Sequence, residues 1–504
     1  MSVHGRQGRE EVIEGAPGGL CLAHSITPRC LVLLAAAGLI SGCEPDGERG
    51  DGAASRRPNI VLVTFESLRA DHVRCYGYER DTTPAIDALA AEGIVFDRAY
   101  AVTSWTLTSH ASMFTGLYPT AHRVIGPRDK LDDSYTTLAE LLTQAGYQTA
   151  GLVAGPYLRT NFNLNQGFGY YDQSAANPKG NNAAWSDITN PHMEAGLRRF
   201  LREQRRAEQP FFLFLYLWDP HYDYIPPEPF DTKFVPSHAE PVDLDEYELK
   251  GAVTKDISDN QLAYVLSQYD GEILCTDALL GRLWDLLEDL GVWRDTAVIV
   301  AGDHGEEFFE HGTKGHKNNL YVESLHVPLI VKPPGNPVRR RDGRTATLLD
   351  VFPTVLELAG ITAEGAYHGR SLLQPPSREE EPIFFELETS NYFIRPKTGK
   401  KYKKSVTWYA VQEGDYKLIT VQGSDVWELY NVAEDPGERR PLASPTHEAI
   451  VARLRTELAT QRIRMERAAA GQGRAGQADL TPEDLERLKS LGYIKTSEEG
   501  DGNP

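Results

Sequence analysis

The sequence predicts an α/β protein, a largely parallel sheet sandwiched by helices, with a smaller α+β domain after it. Three observations predict this. From Pro58 onward, apolar β-branched runs alternate with segments of helical periodicity. Polar clusters stand directly after three of those runs: FES after NIVLVTF, DPH after PFFLFLYLW and DHG after TAVIVAG. Ligands of open α/β sheets bind at those carboxyl ends. Near residue 375 the alternation stops and short hairpin-like strands take over.

The elements follow in order. NIVLVTF reads as a strand buried on both faces. TTPAIDALAAEG reads as a helix, with Pro84 early and Gly93 at its end. YTTLAELLTQAG gives a second helix, and GYQTAGLVAG and PFFLFLYLWDP give strands. In LSQYDGEILCTDALLGRLWDLLEDLG, Ile273, Leu280, Leu283 and Leu287 recur at helical spacing. DTAVIVAGDHG and VPLIVKPPG are two more buried strands, which closes a domain expected over 58–375. The smaller domain, expected over 376–466, holds NYFIRP, SVTWYAVQ and YKLITVQ and the helix THEAIVARLRTELATQRIRME. Residues 467–504 are Gly/Ala/Gln-rich at first and read as a mobile tail. The tail carries one short helix, LTPEDLERLKSLGY, with Thr481 as N-cap and Pro482 at its first position.

Bulk properties narrow the function. The 504 residues carry 52 basic and 72 acidic side chains, a formal net charge of −20. That excludes a nucleic-acid-binding surface across the whole protein but leaves room for a local cationic site for a small anion. At the N-terminus, Arg29 precedes CLVLLAAAGLI, too short to span a bilayer comfortably, and ISGC follows. This resembles a bacterial lipobox, so residues 1–43 read as a signal peptide ending at a lipidated Cys43, and 44–57 as a flexible polar tether. The expected location is the bacterial cell envelope, facing periplasm or exterior, with membrane contact through the lipid anchor only. Beyond Cys43 only Cys75 and Cys275 remain, which allows one disulfide and no disulfide framework.

Glu66, Asp303 and His304 stand at strand ends, and TSWTLTSHASMFTG (103–116) supplies hydroxyls. Two carboxylates and an imidazole form an oxygen-rich ligand set that suits one divalent ion, Mg²⁺, Ca²⁺ or Mn²⁺, and tolerates Zn²⁺. Such an ion would lower the pKa of a hydroxyl it coordinates. Taken singly, DHG reads first as a turn in which Asp and Gly serve the backbone. The joint placement on strand ends favours a site.

From about Pro58 to Glu438 the motifs fall in one order: PNIVLVTFESLRADHVRCYGYERDTTPAIDALAAEGIVFDRAY, SHASMFTGLYP, DPHYDYIPP, YDGEILCTDALLGRL, GDHGEEFFEHG, GHKNNLYVESLHVPLIV and ELYNVAEDPGE. In this they resemble the sulfatase family of the alkaline phosphatase superfamily. The resemblance implies that family's fold and a metal-dependent hydrolase of sulfate, phosphate or phosphonate esters. It implies a metal held by Glu66, Asp303, His304 and a nucleophile hydroxyl. His221 of DPH, and His316 and Lys317 of GHK, would serve the transferred anion or the leaving group.

The chain departs from the pattern at the nucleophile. Where formylglycine sulfatases read C-x-P-S-R, this sequence reads Thr106-Leu107-Thr108-Ser109-His110, with no cysteine nearby. Thr106 takes the nucleophile slot, at the cap of a helix whose N-terminus favours an anion. Ser109, its nearest competitor, and His110 are read as substrate contacts. Glu66 stands where sulfatases carry Asp, and this pairing with Thr resembles lipoteichoic-acid synthases and phosphoethanolamine transferases of the same superfamily. The expected function is therefore a hydrolase with a Thr nucleophile, the phosphorus ester favoured mechanistically. The alternatives are a phosphoethanolamine- or glycerophosphate-type transferase and an inactive binding protein that retains the fold. The implied partner is an anionic ester on a glycan or lipid head group.

Overall fold

Asn59–Phe65 (β1) is apolar apart from Asn59 and Thr64 because both its faces are covered, and Ile60 to Phe65 are fully buried. The computed structural model describes residues 57–176, 189–244, 247, 253–362, 365–375, 381–394, 401–442, 445–490 and 493. Cys43, and with it the signal, lipid and tether readings, lies outside the described residues. Seven more strands complete the main sheet: Ile94–Tyr100 (β2), Gln148–Val153 (β3), Tyr170–Asp172 (β4), Phe211–Leu217 (β5), Thr296–Gly302 (β6), Leu329–Lys332 (β7) and Arg340–Thr347 (β8). Their order is β8-β2-β7-β6-β1-β5-β3-β4. β7 runs antiparallel to β2 and β6, and every other neighbouring pair is parallel.

The helices of this domain include Pro84–Ala90 (α1), Thr106–Thr115 (α2), Leu138–Gln144 (α3), Thr189–Arg199 (α4), Asp259–Asp289 (α5) and Val351–Leu358 (α6). Ser258 and Gln261 close a capping box on α5, and Thr137 and Glu140 close another on α3. Three strands escape the sequence pattern. β2 carries Asp97 and Arg98 in mid-run, β4 has three residues, and the first half of β8 (RRDG) is mostly exposed. Pro328 and Pro333 bracket β7 and hold it to four residues. Its antiparallel direction has no signature in composition.

The second sheet is antiparallel, Ile383–Ile394 (β9), Lys401–Glu413 (β10), Tyr416–Val421 (β11) and Trp427–Asn431 (β12), in that order. Glu448–Ala469 (α7) packs on it, and Leu454, Leu458 and Met465 share a core with Val411, Leu418 and Leu429. Val102, Tyr118 and Leu349 of the first domain enter the same core. A buried pair, Lys417 Nζ to Glu438 Oε1 at 2.8 Å, stitches the join, and Glu438 also accepts the Val322 N–H at 3.1 Å.

The stretch after α7 reads as mobile from its composition, but it has partners along the first domain. Arg123 donates to the carbonyl of Ala469 at 2.6 Å and of Gly473 at 3.2 Å. Gly476–Gln477 then pairs antiparallel with Asp129–Lys130. Pro482–Ser490 (α8) begins after Thr481, whose hydroxyl accepts the Asp484 N–H at 3.2 Å, as the sequence predicts for its cap. Leu488 joins the main core. Cys75 and Cys275 are free thiols, so the one disulfide they allow is not formed. Among the described residues no helix is long and apolar enough to cross a membrane.

Candidate active site

β1 pairs in register with both β5 and β6, Phe65 opposite Leu217 and opposite Gly302. The ladder runs one residue further: Glu66 N–H donates to Leu217 O at 2.9 Å and Asp303 N–H to Phe65 O at 3.0 Å. Glu66 and Asp303 therefore emerge on neighbouring strands at one level, both fully buried. Gly305 lets the backbone of Glu323 pass close beside the chain after His304, since a Cβ there would lie 1.9 Å from Glu323 O.

α2 supplies the hydroxyl. Thr106 is its first helical residue and Trp105, in extended conformation, is the N-cap without a side-chain bond, so Thr106 is not itself the cap as the sequence reading has it. Gly116 ends the helix in the left-handed region, at φ 67°. Thr106 Oγ1 lies 3.1 Å and 3.2 Å from the two Glu66 carboxylate oxygens and 3.2 Å from His304 Nε2. His304 Nδ1 donates to the Gly305 carbonyl at 2.9 Å, which turns Nε2 toward Glu66 Oε1 at 3.1 Å. Ser67 Oγ donates to Glu66 Oε1 at 3.0 Å, and the Tyr216 hydroxyl donates to Oε2.

Asp303 is the acid without enough partners. Its Oδ1 accepts the N–H groups of Ser67 at 3.0 Å and His304 at 2.8 Å, while Oδ2 is buried with no hydrogen bond. Burial, and then Glu66, push the Asp303 carboxyl well above its ordinary range. Burial opposes charge on His304 too, yet Asp303 and Glu66 raise it to about 10. Against burial, His304 holds the Glu66 carboxyl below the usual carboxylate range. Two buried carboxylates sharing one imidazole, with one oxygen orphaned, are short of positive charge. A divalent cation fits that deficit and the oxygen-rich donors. Glu66, His304 and His316 bring donor atoms within 4.8 Å of one another.

His316 thus stands with the acids and not, as expected, simply as a cation facing the substrate. Burial, then His304, lowers its pKa to about 3, so it is neutral at pH 7. The cation at this end is Lys317, whose Nζ lies 3.5 Å from the centre of the Trp105 ring, one residue before Thr106. His221 stacks on Trp218 with ring centres 3.9 Å apart and lies 5.2 Å from the His316 ring. Its Nδ1 donates to the Tyr222 carbonyl. Burial lowers its pKa to about 3.

Ser109 and His110 are both fully buried. Ser109 Oγ donates to Asp303 O at 2.6 Å, pinning α2 to the end of β6. His110 donates from Nδ1 to Thr106 O at 2.8 Å and accepts the Thr64 hydroxyl at Nε2, 2.9 Å away. Both point inward because positions three and four along a helix lie on the face beneath its first residue, here the face packed on the sheet. These bonds brace Thr106. Ser67, Tyr216, Glu306 and Tyr493 join the site unannounced by the motif reading. Ser67 and Tyr216 flank motif residues and could have been found there, whereas Tyr493 carries no such signal.

Residues 58–361, the greater part of the chain, match the family profile described as Sulfatase. The chain belongs to the sulfatase family. As a member it is an ester hydrolase. A profile for the C-terminal part of N-sulphoglucosamine sulphohydrolase matches residues 310–464 of this sulfatase-family chain. Arylsulfatase K of Bos taurus is 24% identical, over 77% of this chain and 78% of that protein. The N-acetylglucosamine-6-O-sulfatase of Bacteroides thetaiotaomicron is 24% identical, over 82% and 86%. Among solved structures, the phosphonate monoester hydrolase of Agrobacterium radiobacter superposes with a TM-score of 0.66 at 22% identity, covering 81% of this chain and 96% of that one. A protein in complex with its substrate D-glucosamine-2-N,6-O-disulfate superposes at 0.63 with 20% identity, covering 82% and 99%. These superpositions show the shared fold.

Proposed function

We propose that this sulfatase-family hydrolase cleaves phosphonate monoesters or phosphate diesters in preference to sulfate esters, with Thr106 as nucleophile. One observation carries the reading: the hydroxyl at the start of α2 belongs to threonine and lies 3.1 Å from the Glu66 carboxylate, and 103–116 contains no cysteine. Glu66, Asp303, His304 and Thr106 would hold one divalent cation, with His316 beside them. When bound, the cation supplies charge neutralisation and lowers the pKa of the threonine hydroxyl.

The residues divide the work. Thr106 Oγ forms a bond to phosphorus as the bond to the ester oxygen breaks, and the departing oxygen takes the electron pair. The Thr106 proton is lost to solvent, since Glu66, held below the usual carboxylate range, is a poor base. The unpaired N–H groups of the first turn of α2 and the Lys317 ammonium stabilise charge on the non-bridging oxygens. Water then attacks phosphorus, the P–Oγ bond breaks, and the hydroxyl is restored.

Chemistry selects phosphorus. A formylglycine hydrate expels sulfate by C–O cleavage through its second hydroxyl, which threonine lacks. A sulfated Thr106 would need attack at sulfur, whereas a phosphorylated one is open to water at phosphorus. The likeness to phosphonate monoester hydrolases supports this reading. The test compares kcat/KM on p-nitrophenyl sulfate, phosphate, phenylphosphonate and a phosphodiester, with Thr106→Ala alongside. The phosphorus esters are expected to lead, and Thr106→Ala to lose activity by about a thousandfold or more. Preference for the sulfate overturns the choice of element, and retained activity in Thr106→Ala overturns the nucleophile. Transfer of the phosphoryl group to an added alcohol in place of water would identify a transferase.

We also propose that Cys43 carries a lipid and tethers the protein to the bacterial envelope, on the strength of ISGC after the apolar run. Membrane fractionation of Cys43→Ala checks this. The variant is expected in the soluble or unprocessed fraction, and partitioning like the parent overturns it.

A further inference from the structure

Tyr493 enters the site from the far end of the chain. Its hydroxyl lies 2.6 Å from His221 Nε2 and 3.4 Å from His316 Nε2. His221 Nδ1 already donates to the Tyr222 carbonyl, so His221 Nε2 is an acceptor and the tyrosine proton goes to it. The Tyr222 carbonyl thus sets the tautomer of His221, and the tyrosine proton caps the lone pair that remains at Nε2. His316 is held from its other side: its Nδ1 lies 3.3 Å from Ser67 Oγ, which spends its proton on Glu66, and 3.3 Å from Glu306 Oε1.

The ring that carries it is held in place. Tyr493 meets Tyr157 edge-on at 4.8 Å between centres, and Tyr157 meets Trp105 edge-on at 5.3 Å. Trp105 is the N-cap of the helix that begins with Thr106. Behind Tyr493, its own N–H donates to Leu488 O at 2.9 Å, and Leu488 is buried in the main core. α8 is tied down further by an ion pair from Arg159 to Asp484.

We propose that Tyr493 is a positioning residue of this site: its hydroxyl, brought in from beyond α8, caps His221 Nε2 and holds that ring in orientation. The proposal rests on the hydrolase reading above for its kinetic consequence, though not for the contact itself. The nucleophile and the cation-binding acids come from the first domain, and Tyr493 adds the contact that fixes His221 beside them.

The experiment is Tyr493→Phe in the full-length protein, which keeps the ring packing and removes one oxygen. Two readouts are taken: the imidazole nitrogen resonances of His221 and His316, and kcat and KM on the preferred p-nitrophenyl ester. The expected result is a shift of the His221 Nε2 resonance, as its lone pair loses a donor, with the His316 resonances moving less. With it goes a fall in kcat of about tenfold, the worth of one ordinary hydrogen bond, at nearly constant KM. Unmoved resonances overturn the contact. Shifted resonances with parental kinetics overturn the role in the reaction. A rise in kcat/KM also overturns it, since the hydroxyl would then be blocking the substrate's place. Thr106→Ala run in parallel separates the two readings: if the parent turns over no ester, the hydrolase reading falls, and the resonances alone decide whether Tyr493 holds the His221 ring.

Discussion

Glu66 and Asp303 are neighbours because Phe65 and Gly302, the residues before them, pair in adjacent parallel strands. Parallel pairing carries both strands out of the sheet in the same direction, so two acids one step past the pair share one pocket. Glu66 there finds Tyr216, Ser67 and Thr106, while Asp303 keeps one oxygen without a hydrogen bond. This asymmetry is the basis for reading the pocket as a cation site.

Asp303→Asn tests that reading without reference to turnover. The amide keeps an oxygen for the Ser67 and His304 N–H groups and removes a charge that Glu66 opposes. In chelator the variant is therefore expected to melt at or above the parent temperature. With Mg²⁺, Ca²⁺ or Mn²⁺ at a hundredfold excess over its dissociation constant, the parent should gain about 2.7 kcal/mol, and the variant at the same concentration close to none. Equal metal-induced shifts in the two proteins, read by calorimetry and elemental analysis, would remove Asp303 from the ligand set.

Lys317→Met removes the ammonium lying on Trp105 while leaving a side chain of similar length. A lost charge-assisted bond to an anionic ester amounts to about 1.5–3 kcal/mol, so kcat/KM should fall on the order of 10- to 100-fold. Lys317→Arg should restore it only partly, because a planar guanidinium does not reproduce a point charge. Steady-state kinetics at two ionic strengths check this, and a parental kcat/KM for the Met variant would reassign the anion contact to His221.

Acid stability is expected to depend on His122, away from the site. It accepts the Val124 N–H at Nδ1, 3.1 Å, and bonds Ser112 through Nε2, 2.9 Å. Burial, then His368, lowers its pKa to about 3 from an ordinary value of 6.5. The unfolded chain binds that proton first, so the contribution is complete above about pH 6.5 and is lost as pH falls toward 3. In that window His122 should steepen the loss by about 1.4 kcal/mol per pH unit. Urea melts of His122→Gln between pH 6.5 and 4 should show a shallower slope, and an identical slope would show that the proton is taken up elsewhere.

Much of the fold was legible in the sequence because burial on both faces of a parallel strand writes itself as an unbroken apolar run. β1, β5 and β6 are such runs, and the acids at their ends could be located to the residue. β2 and β8 carry charges in or beside the strand, and β4 is too short to leave a pattern. The contacts of the tail leave no pattern for a related reason: Gly, Ala and Gln say nothing about bonds their backbone makes to another part of the chain, such as those from Arg123.

The site divides along the same line. The sequence by itself determined the residues one step past each strand, Glu66, Asp303 and His304, and the threonine that opens α2, because chain neighbours and strand ends are local properties. Only the tertiary structure decided which way each side chain turns. Ser109 and His110 sit on the face of α2 that packs on the sheet, so they brace it. His316 lies neutral among acids and histidines, while its chain neighbour Lys317 lays its charge over the Trp105 ring. Tyr493 lies 272 residues from His221 in sequence and 2.6 Å from it in space. A contact of that kind depends on how a strap packs along a finished domain, and no local pattern of residues records it.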